Sequence, residues 1–433
     1  MSREKRTADA RQLPEYLPEK MSICLWIWNW LVMATPGEPY DDLDRCMREM
    51  KQRGFNCLRA ETGLNWAFRM DGTPRGPMEF CPWIAGHGAN LSSVNAKGGG
   101  RYDVLERLIL LMELAKKHDI YVILSSWEYQ DSSWFVADTA IRTEVFAVPP
   151  DARFLHMARQ FDQLLCLLKS LNLHRSIAFV EIHNEPDSSE FPAGDSIFQS
   201  VAGSVETSRR LHEEAISFLS TRHPDILVSA DLTSHNYNLT PDNTQVFDQH
   251  VYAGYEWYIQ ALYGETVYHP QFDPDQPRKT EPLRSLLRED LVPWDEYMKP
   301  AQNIREPWRA RHWLYDNIDN LKWDAWVAAS YAEWEERIRE RAKQCFAADA
   351  AEALRRGLPQ VFDEGGFFYP PRLSRFEISP KGLELLDLMA DLAIQYDYWG
   401  FLPGTYCGPE HLVWHENPEW LQRINGRFMR GGV

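Results

Sequence analysis

Along this chain, short runs of apolar, β-branched and aromatic residues alternate with longer stretches whose apolar positions recur every three or four residues. The short runs predict strands at Ser22–Leu31, Phe55–Ala60, Tyr121–Trp127, Ile177–Asn184, Ile226–Asp231, Val246–Tyr252, Gln360–Gly366 and Tyr396–Leu402. The stretch Asp41–Arg53 carries Leu43, Cys46, Met47 and Met50 on one helical face and ends at Gly54, a residue suited to a helix C-terminus. Further helices are predicted over Tyr102–His118, Asp151–Leu171, Ser200–Arg222, Ala325–Arg356, Lys381–Gln395 and Pro418–Phe428. The connection after the fifth strand, through Asn236 and Pro241, is short and helix-poor.

Eight strands alternating with helices imply a parallel sheet, and eight such units close into a barrel. The expected class is therefore α/β, a single (β/α)8 TIM barrel spanning residues 22–433 behind a polar arm at 1–21. A minimal barrel uses roughly 250 residues, and the chain has 433. The surplus falls into two long βα-loop insertions, at about 69–100 and 253–323. No repeat at a solenoid period is visible. No G-x-G-x-x-G follows a strand, which argues against a doubly wound dinucleotide fold.

Composition narrows the partners. A formal charge of -17 repels a nucleic-acid backbone. No apolar run reaches the roughly 18–20 residues that a membrane span needs. The first residues are polar, with no apolar segment of a secretory signal behind them. The seven cysteines are scattered without a C-x-x-C pair, the usage of reduced thiols in a cytoplasmic protein. The chain carries 17 Trp and 18 Tyr, many near predicted strand ends: Trp26, Trp28, Trp30, Trp66, Trp127, Trp134, Tyr252, Trp257 and Trp399. Flat rings suit the C–H faces of sugars, while for any single ring core packing is the commoner use.

In a barrel of this type the chemistry gathers at the C-terminal ends of the strands. Those ends carry Arg59, then His183, Asn184 and Glu185, then Asp231, then His250 and Tyr252, then Asp363 and Glu364. Pro186 biases Glu185 towards extended backbone and stops its strand. Two carboxyls at facing strand ends are the minimum equipment for cleaving a glycosidic bond: one donates a proton to the leaving oxygen, the other attacks carbon or activates water. In this reading Arg59 keeps the second carboxylate ionised, Tyr252 orients it and Asn184 holds a sugar hydroxyl. Glu181 is placed one pleat deeper as a buried partner of Arg59, and Asp363 faces away. His411 and His415 have i, i+4 spacing but lack the Glu of H-E-x-x-H, so they are read as packing groups.

Four separate stretches resemble the cellulase-like clan of retaining glycoside hydrolases, glycoside hydrolase family five above all. Gly54-Phe-Asn-Cys-Leu-Arg59 is similar to the family's strand-two pattern, Asn184-Glu185-Pro186 to its strand-four motif, His250-Val-Tyr252 to its strand-six His-x-Tyr, and Glu364-Gly-Gly366 to the strand-seven motif. The resemblance covers about residues 22–402. It implies that Glu185 is the acid/base and Glu364 the nucleophile, with their carboxyls about 5–5.5 Å apart. Arg59, Asn184, His183, His250, Tyr252, Trp28, Trp127 and Trp399 would bind substrate, with no metal or cofactor. Ser125-Ser-Trp127-Glu128 stands where the family offers a strand-three His, and no aromatic floor is evident after strand eight. The expected activity is exo-acting cleavage of short β-glycosides, the two long loops walling the barrel mouth. Two other readings use the same residues. Glu185, Asp231, His250 and Glu364 could hold the divalent cation of a sugar isomerase or epimerase, or the chain could bind sugar without cleaving it.

Overall fold

The computed structural model describes residues 13–82, 98–129, 136–187, 205–257, 285–293, 296, 313, 315–368, 370–405 and 407–432. Trp134, most of the 253–323 insertion and part of the 69–100 loop lie outside the described residues.

The strands in chain order are β1 (Met21–Trp26), β2 (Cys57–Glu61), β3 (Met78–Pro82), β4 (Gly98–Tyr102), β5 (Tyr121–Ser125), β6 (Ile177–Glu181), β7 (Leu227–Leu232), β8 (Phe247–Gln249), β9 (Val251–Tyr252), β10 (Gln360–Phe362), β11 (Gly365–Gly366) and β12 (Gly400–Phe401). Eight of them close a parallel barrel in the order β1-β12-β10-β8-β7-β6-β5-β2. With β3, β4, β9 and β11 set aside in separate two-stranded ladders, neighbours in this circle follow chain order throughout, as a TIM barrel requires. The fold class expected from the alternation is the one found.

The helices form where local chemistry asks for them. Asp42, Asp103, Asp319 and Ser379 stand at helix N-termini, and each side chain accepts a hydrogen bond from a backbone N–H of the first turn. The longest helix, Asn320–Arg356, starts five residues earlier than its apolar pattern predicts because Asp319 caps Leu321 and Lys322. No described helix is long and apolar enough to cross a membrane.

Several boundaries differ from the sequence reading. The run Ser22–Leu31 is strand only to Trp26, and Asn29–Val32 turns into a short buried helix. A run that is apolar at every position does not distinguish the two states by period. The 69–100 loop contains an antiparallel hairpin, β3 with β4. The sixth and seventh predicted strands are each broken in two. Beyond the barrel rim, β9 pairs only with β11, joining Val251 to Gly365 and Tyr252 to Gly366.

Inside the barrel, inward-facing residues form layers. Met21, Ile23, Cys57, Ile123, Phe179, Leu227, Val246 and Val361 fill the N-terminal half as one apolar cluster, joined by Trp399. The arm seals this end. Leu13 and Leu17 pack against the cluster, Tyr121 donates to the carbonyl of Tyr16, and the Trp399 indole donates to the carbonyl of Pro18. Two residues further along each strand the interior changes character: Arg59, Ser125, Glu181, Ser229, Asp248 and Asp363 are all buried there. Trp26, Trp30, Trp66 and Trp257 are fully buried packing groups.

The two glycines of β11 are required by geometry. Gly365 has φ +139° and Gly366 φ +109°. A Cβ on Gly365 would stand 2.3 Å from the Val251 carbonyl oxygen, and one on Gly366 2.5 Å from Thr405 Oγ1. Gly365→Ala should therefore open the β9–β11 ladder beside Glu364. The expected loss is about 1–3 kcal/mol in urea unfolding, larger than for Gly37→Ala, where nothing lies within 4 Å of the added methyl.

Candidate active site

Arg59 stands at the centre of the polar layer, completely buried. Its Nε donates to Glu181 Oε2 at 2.8 Å and lies 3.2 Å from Asp363 Oδ2. Nη1 donates to Glu364 Oε2 at 2.5 Å, and Nη2 donates to Asp231 Oδ2 and Asn184 Oδ1, each at 2.6 Å. The guanidinium lies over the Trp127 ring at 4.6 Å, and Trp127 meets Trp28 edge-to-face with centroids 6.3 Å apart. Glu181 is thus the buried partner expected for Arg59. Asp363 does not face away: it continues the inward alternation of Val361 and enters the same network.

His250 is the second cation. Its Nδ1 is 2.6 Å from Glu185 Oε1 and 4.0 Å from Glu364 Oε2. On the other side of the ring, Nε2 is 2.8 Å from Asp231 Oδ1 and 3.5 Å from Asp363 Oδ1. These two are ion-pair contacts by distance, but their angles fall short of hydrogen bonds. Burial opposes the imidazolium, yet the surrounding carboxylates, Asp231 and Glu364 foremost, push its pKa well above the usual histidine value.

The carboxyls divide by their surroundings. Burial raises Glu181 and Asp248 well above the ordinary range, and neighbouring carboxyls add to the effect. Asp231 is also raised by burial, against the pull of His250 and Arg59. For Asp363 burial is outweighed by Arg59, by His250 and by a hydrogen bond from Glu181, and its pKa falls well below the usual carboxylate range. Glu181 therefore favours its protonated form and Asp363 its ionised form.

The two expected catalytic residues meet at the rim. Glu185 is 6% and Glu364 4% exposed, so only an edge of each carboxyl reaches the solvent side. One carboxylate oxygen of each, together with a ring nitrogen of His250, lie within 4.8 Å of one another. Tyr252 donates to Glu364 Oε1 at 2.7 Å. Glu185 has φ +41°, so it is not extended as Pro186 led us to expect. A non-glycine residue there is strained, and the turn carries its carboxyl onto His250. An open cavity of about 610 Å³ begins at Glu185, His250 and Tyr252.

Two expected substrate contacts are placed elsewhere. Trp399 precedes β12, at the opposite end of the barrel, with its indole held by Pro18 and its ring against Phe179. His183 is completely buried behind the site: its Nδ1 donates to the carbonyl of Asn184 at 2.7 Å and its Nε2 accepts from the Tyr129 N–H at 3.2 Å. Burial pushes its pKa down to about 3. Asp248 was missed by the sequence reading, although its alternation with Val246 and His250 was the available signal.

At this site, three triads among the described residues bring carboxylate or imidazole atoms within 4.8 Å of one another: Glu185, His250 and Glu364; Asp231, Asp248 and His250; Glu181, Asp248 and Asp363. The Arg59 guanidinium already contacts Glu181, Asp231, Asp363 and Glu364. It fills the place a divalent cation would take among them, so these residues fit a metal poorly.

No family model and no curated protein matches the chain. Solved structures do. One is a glycoside hydrolase, so described as putative, from Parabacteroides distasonis, 14% identical over 95% of this chain and 94% of that one, with TM-score 0.66. An exo-β-1,4-mannosidase from an Opitutaceae bacterium is 12% identical over 99% of this chain but 63% of its own length, with TM-score 0.50. A family 5 mannosidase from Rhizomucor miehei is 12% identical over 96% and 94%, with TM-score 0.46. At these identities the first two likenesses establish a shared barrel fold.

The raised acids have a consequence for stability. Glu181 and Asp248 bind protons in the folded state that the unfolded chain releases near pH 4, so their contribution is complete below that pH and is lost as pH rises towards their folded pKa values. His250 adds in the same direction above about pH 6.5. Asp363 acts oppositely, but only below about pH 4. Asp248→Asn removes one of these titrations. Urea unfolding from pH 5 to 9 should show a shallower loss of stability than in wild type, by up to about 1.4 kcal/mol per pH unit. Parallel curves for the two proteins would mean that Asp248 takes up no proton on folding.

Proposed function

We propose that this protein is a retaining β-glycoside hydrolase, with Glu364 as nucleophile and Glu185 as acid/base. The observation that carries the reading is the unlike tethering of two adjacent carboxyls. Glu364 accepts from both Arg59 and Tyr252, which holds it as an oriented acceptor ready to attack the anomeric carbon. Glu185 is tethered to His250, a group that carries a proton. A proton passed along that 2.6 Å contact puts the acid form on Glu185 when the leaving oxygen arrives. Glu364 then bears the sugar, and Glu185 as base activates the water that releases it. The approach of their oxygens to within 4.8 Å supports the retaining spacing of about 5–5.5 Å over the inverting one of about 6.5–9.5 Å.

Exo action on short glycosides belongs to this reading. A cavity at Glu185, more than an open groove along the barrel mouth, supports it, as does the likeness to a structure described as an exo-mannosidase. A cytoplasmic setting rests on the six described cysteines being free thiols.

A panel of aryl β-glucosides and β-mannosides tests the activity. Glu364→Ala should abolish turnover while leaving the circular dichroism spectrum unchanged. Glu185→Gln should slow substrates with poor leaving groups by about 10²–10⁴-fold and nitrophenyl glycosides much less. Proton NMR should show the first-formed sugar as the β-anomer. An α-anomer, or full activity without Glu364, would end the proposal.

A further inference from the structure

The cavity does not stop at the two acids. From Glu185 and Tyr252 it runs outward to Asp187, His235 and Tyr237, and its far wall is the helix Asn320–Arg356 at Arg341. It is lined by Glu185 and not by Glu364. The group expelled in glycoside cleavage must place its oxygen against the acid/base, so this side of the pair is where a leaving group lies.

The charges on this wall are unevenly satisfied. Asp187 shares the cavity, but its carboxylate accepts from the N–H groups of Thr233 at 3.1 Å and Ser234 at 3.0 Å and from the Ser234 hydroxyl. His235 donates from Nδ1 to the Thr233 carbonyl at 3.1 Å and turns Nε2 to Asp349 Oδ2 at 3.4 Å. Burial opposes its charge, yet Asp349 beside it holds the imidazolium, with pKa pushed up to about 10. Asp349 also accepts from the Tyr237 hydroxyl at 2.7 Å. Each of these charges has a protein partner.

Arg341 has none among the described residues. It is half-buried, and its Nε–H is shielded from solvent without any hydrogen-bond acceptor. The positions three and four residues away on its helix are Arg337, Ile338, Gln344 and Cys345, so no acid pairs with it along the helix surface, although the helix is rich in Glu. A guanidinium presents a planar fork of donors that matches a carboxylate or phosphate. An arginine left open on the wall of a cavity, in a chain of net charge -17, is placed to receive an anion from outside the protein.

We propose that the leaving-group side of this site recognises an oxyanion, a carboxylate or phosphate on the aglycone, through Arg341. The proposal rests on the hydrolase reading for which side the leaving group takes; the anion site itself does not need catalysis. The test uses three β-glycosides of one sugar that differ only in the para substituent of the phenol: carboxylate, phosphate and the neutral carboxamide. In wild type, kcat/KM for one or both charged substrates should exceed that for the carboxamide about tenfold or more, with the difference carried by KM. The charged-to-neutral ratio should fall to about one in Arg341→Gln and be partly kept in Arg341→Lys, which preserves charge and confirms that the wall still folds. Whichever of the carboxylate and phosphate shows the larger ratio identifies the anion. A wild-type ratio near one, or a ratio unchanged in Arg341→Gln, would overturn the proposal. Calorimetric binding of the same compounds separates the two readings. Tighter, Arg341-dependent binding of the charged compounds without hydrolysis would retain the anion site and reject the hydrolase, whereas hydrolysis indifferent to charge would do the reverse.

Discussion

One guanidinium in the interior of a closed barrel organises this molecule. Arg59 reaches four carboxyl groups from three other strand ends, with no access to water. Removing a charge from water costs several kcal/mol unless partners restore what solvent supplied. Here the restoration is collective. Glu181 keeps a proton, Asp363 gives one up, and His250 remains charged between Asp231 and Glu185. The pairs are not separable, since each group's protonation depends on all its neighbours. The same network sets the orientation of Glu364, so the interior charge balance and the rim chemistry are one system.

That arrangement needs the regular barrel to fail at its rim. The β8 ladder ends at Gln249 and resumes at Val251, and the β10 ladder ends at Phe362 and resumes at Gly365. Each gap holds residues of the candidate site: His250 in one, Asp363 and Glu364 in the other. Strict alternation would send Asp363 inward and Glu364 outward. The break lets both enter the network, and the positive φ of the two following glycines makes the break possible. Glu185, with its own positive φ, is a third irregularity in the same place. Strain is concentrated where three strand ends deliver side chains to one point, while the layers below obey the two-residue period.

Much of this could be read along the chain. Alternation of apolar runs with amphipathic stretches gave the barrel, and the ends of those runs gave Arg59, Asn184, Glu185, His250, Tyr252 and Glu364, which the structure gathers. Trp399 was misplaced because a short strand of two residues, Gly400–Phe401, puts it at the start of the strand and not beyond its end. His183 follows Glu181 by two, which points it towards the barrel, but the chain has already left β6 by then and turns the ring into the core. Comparison with known proteins enters through shape alone: identities of 12–14% leave the barrel in common and little else.

Local patterns along the chain set the eight-unit periodicity and which chemically capable residues end each unit, because side-chain period and turn residues act over a few positions. It also contained the alternation that places Asp248 and Asp363 inside. What it left open were the partners. Whether Arg59 would meet one acid or four, which buried acid would favour its protonated form, and that Arg341 would face the same cavity as Glu185 from 156 positions away all depend on closure of the barrel. Electrostatic interactions act through space across elements far apart in the chain, and their strength is set by burial that only the assembled tertiary structure creates.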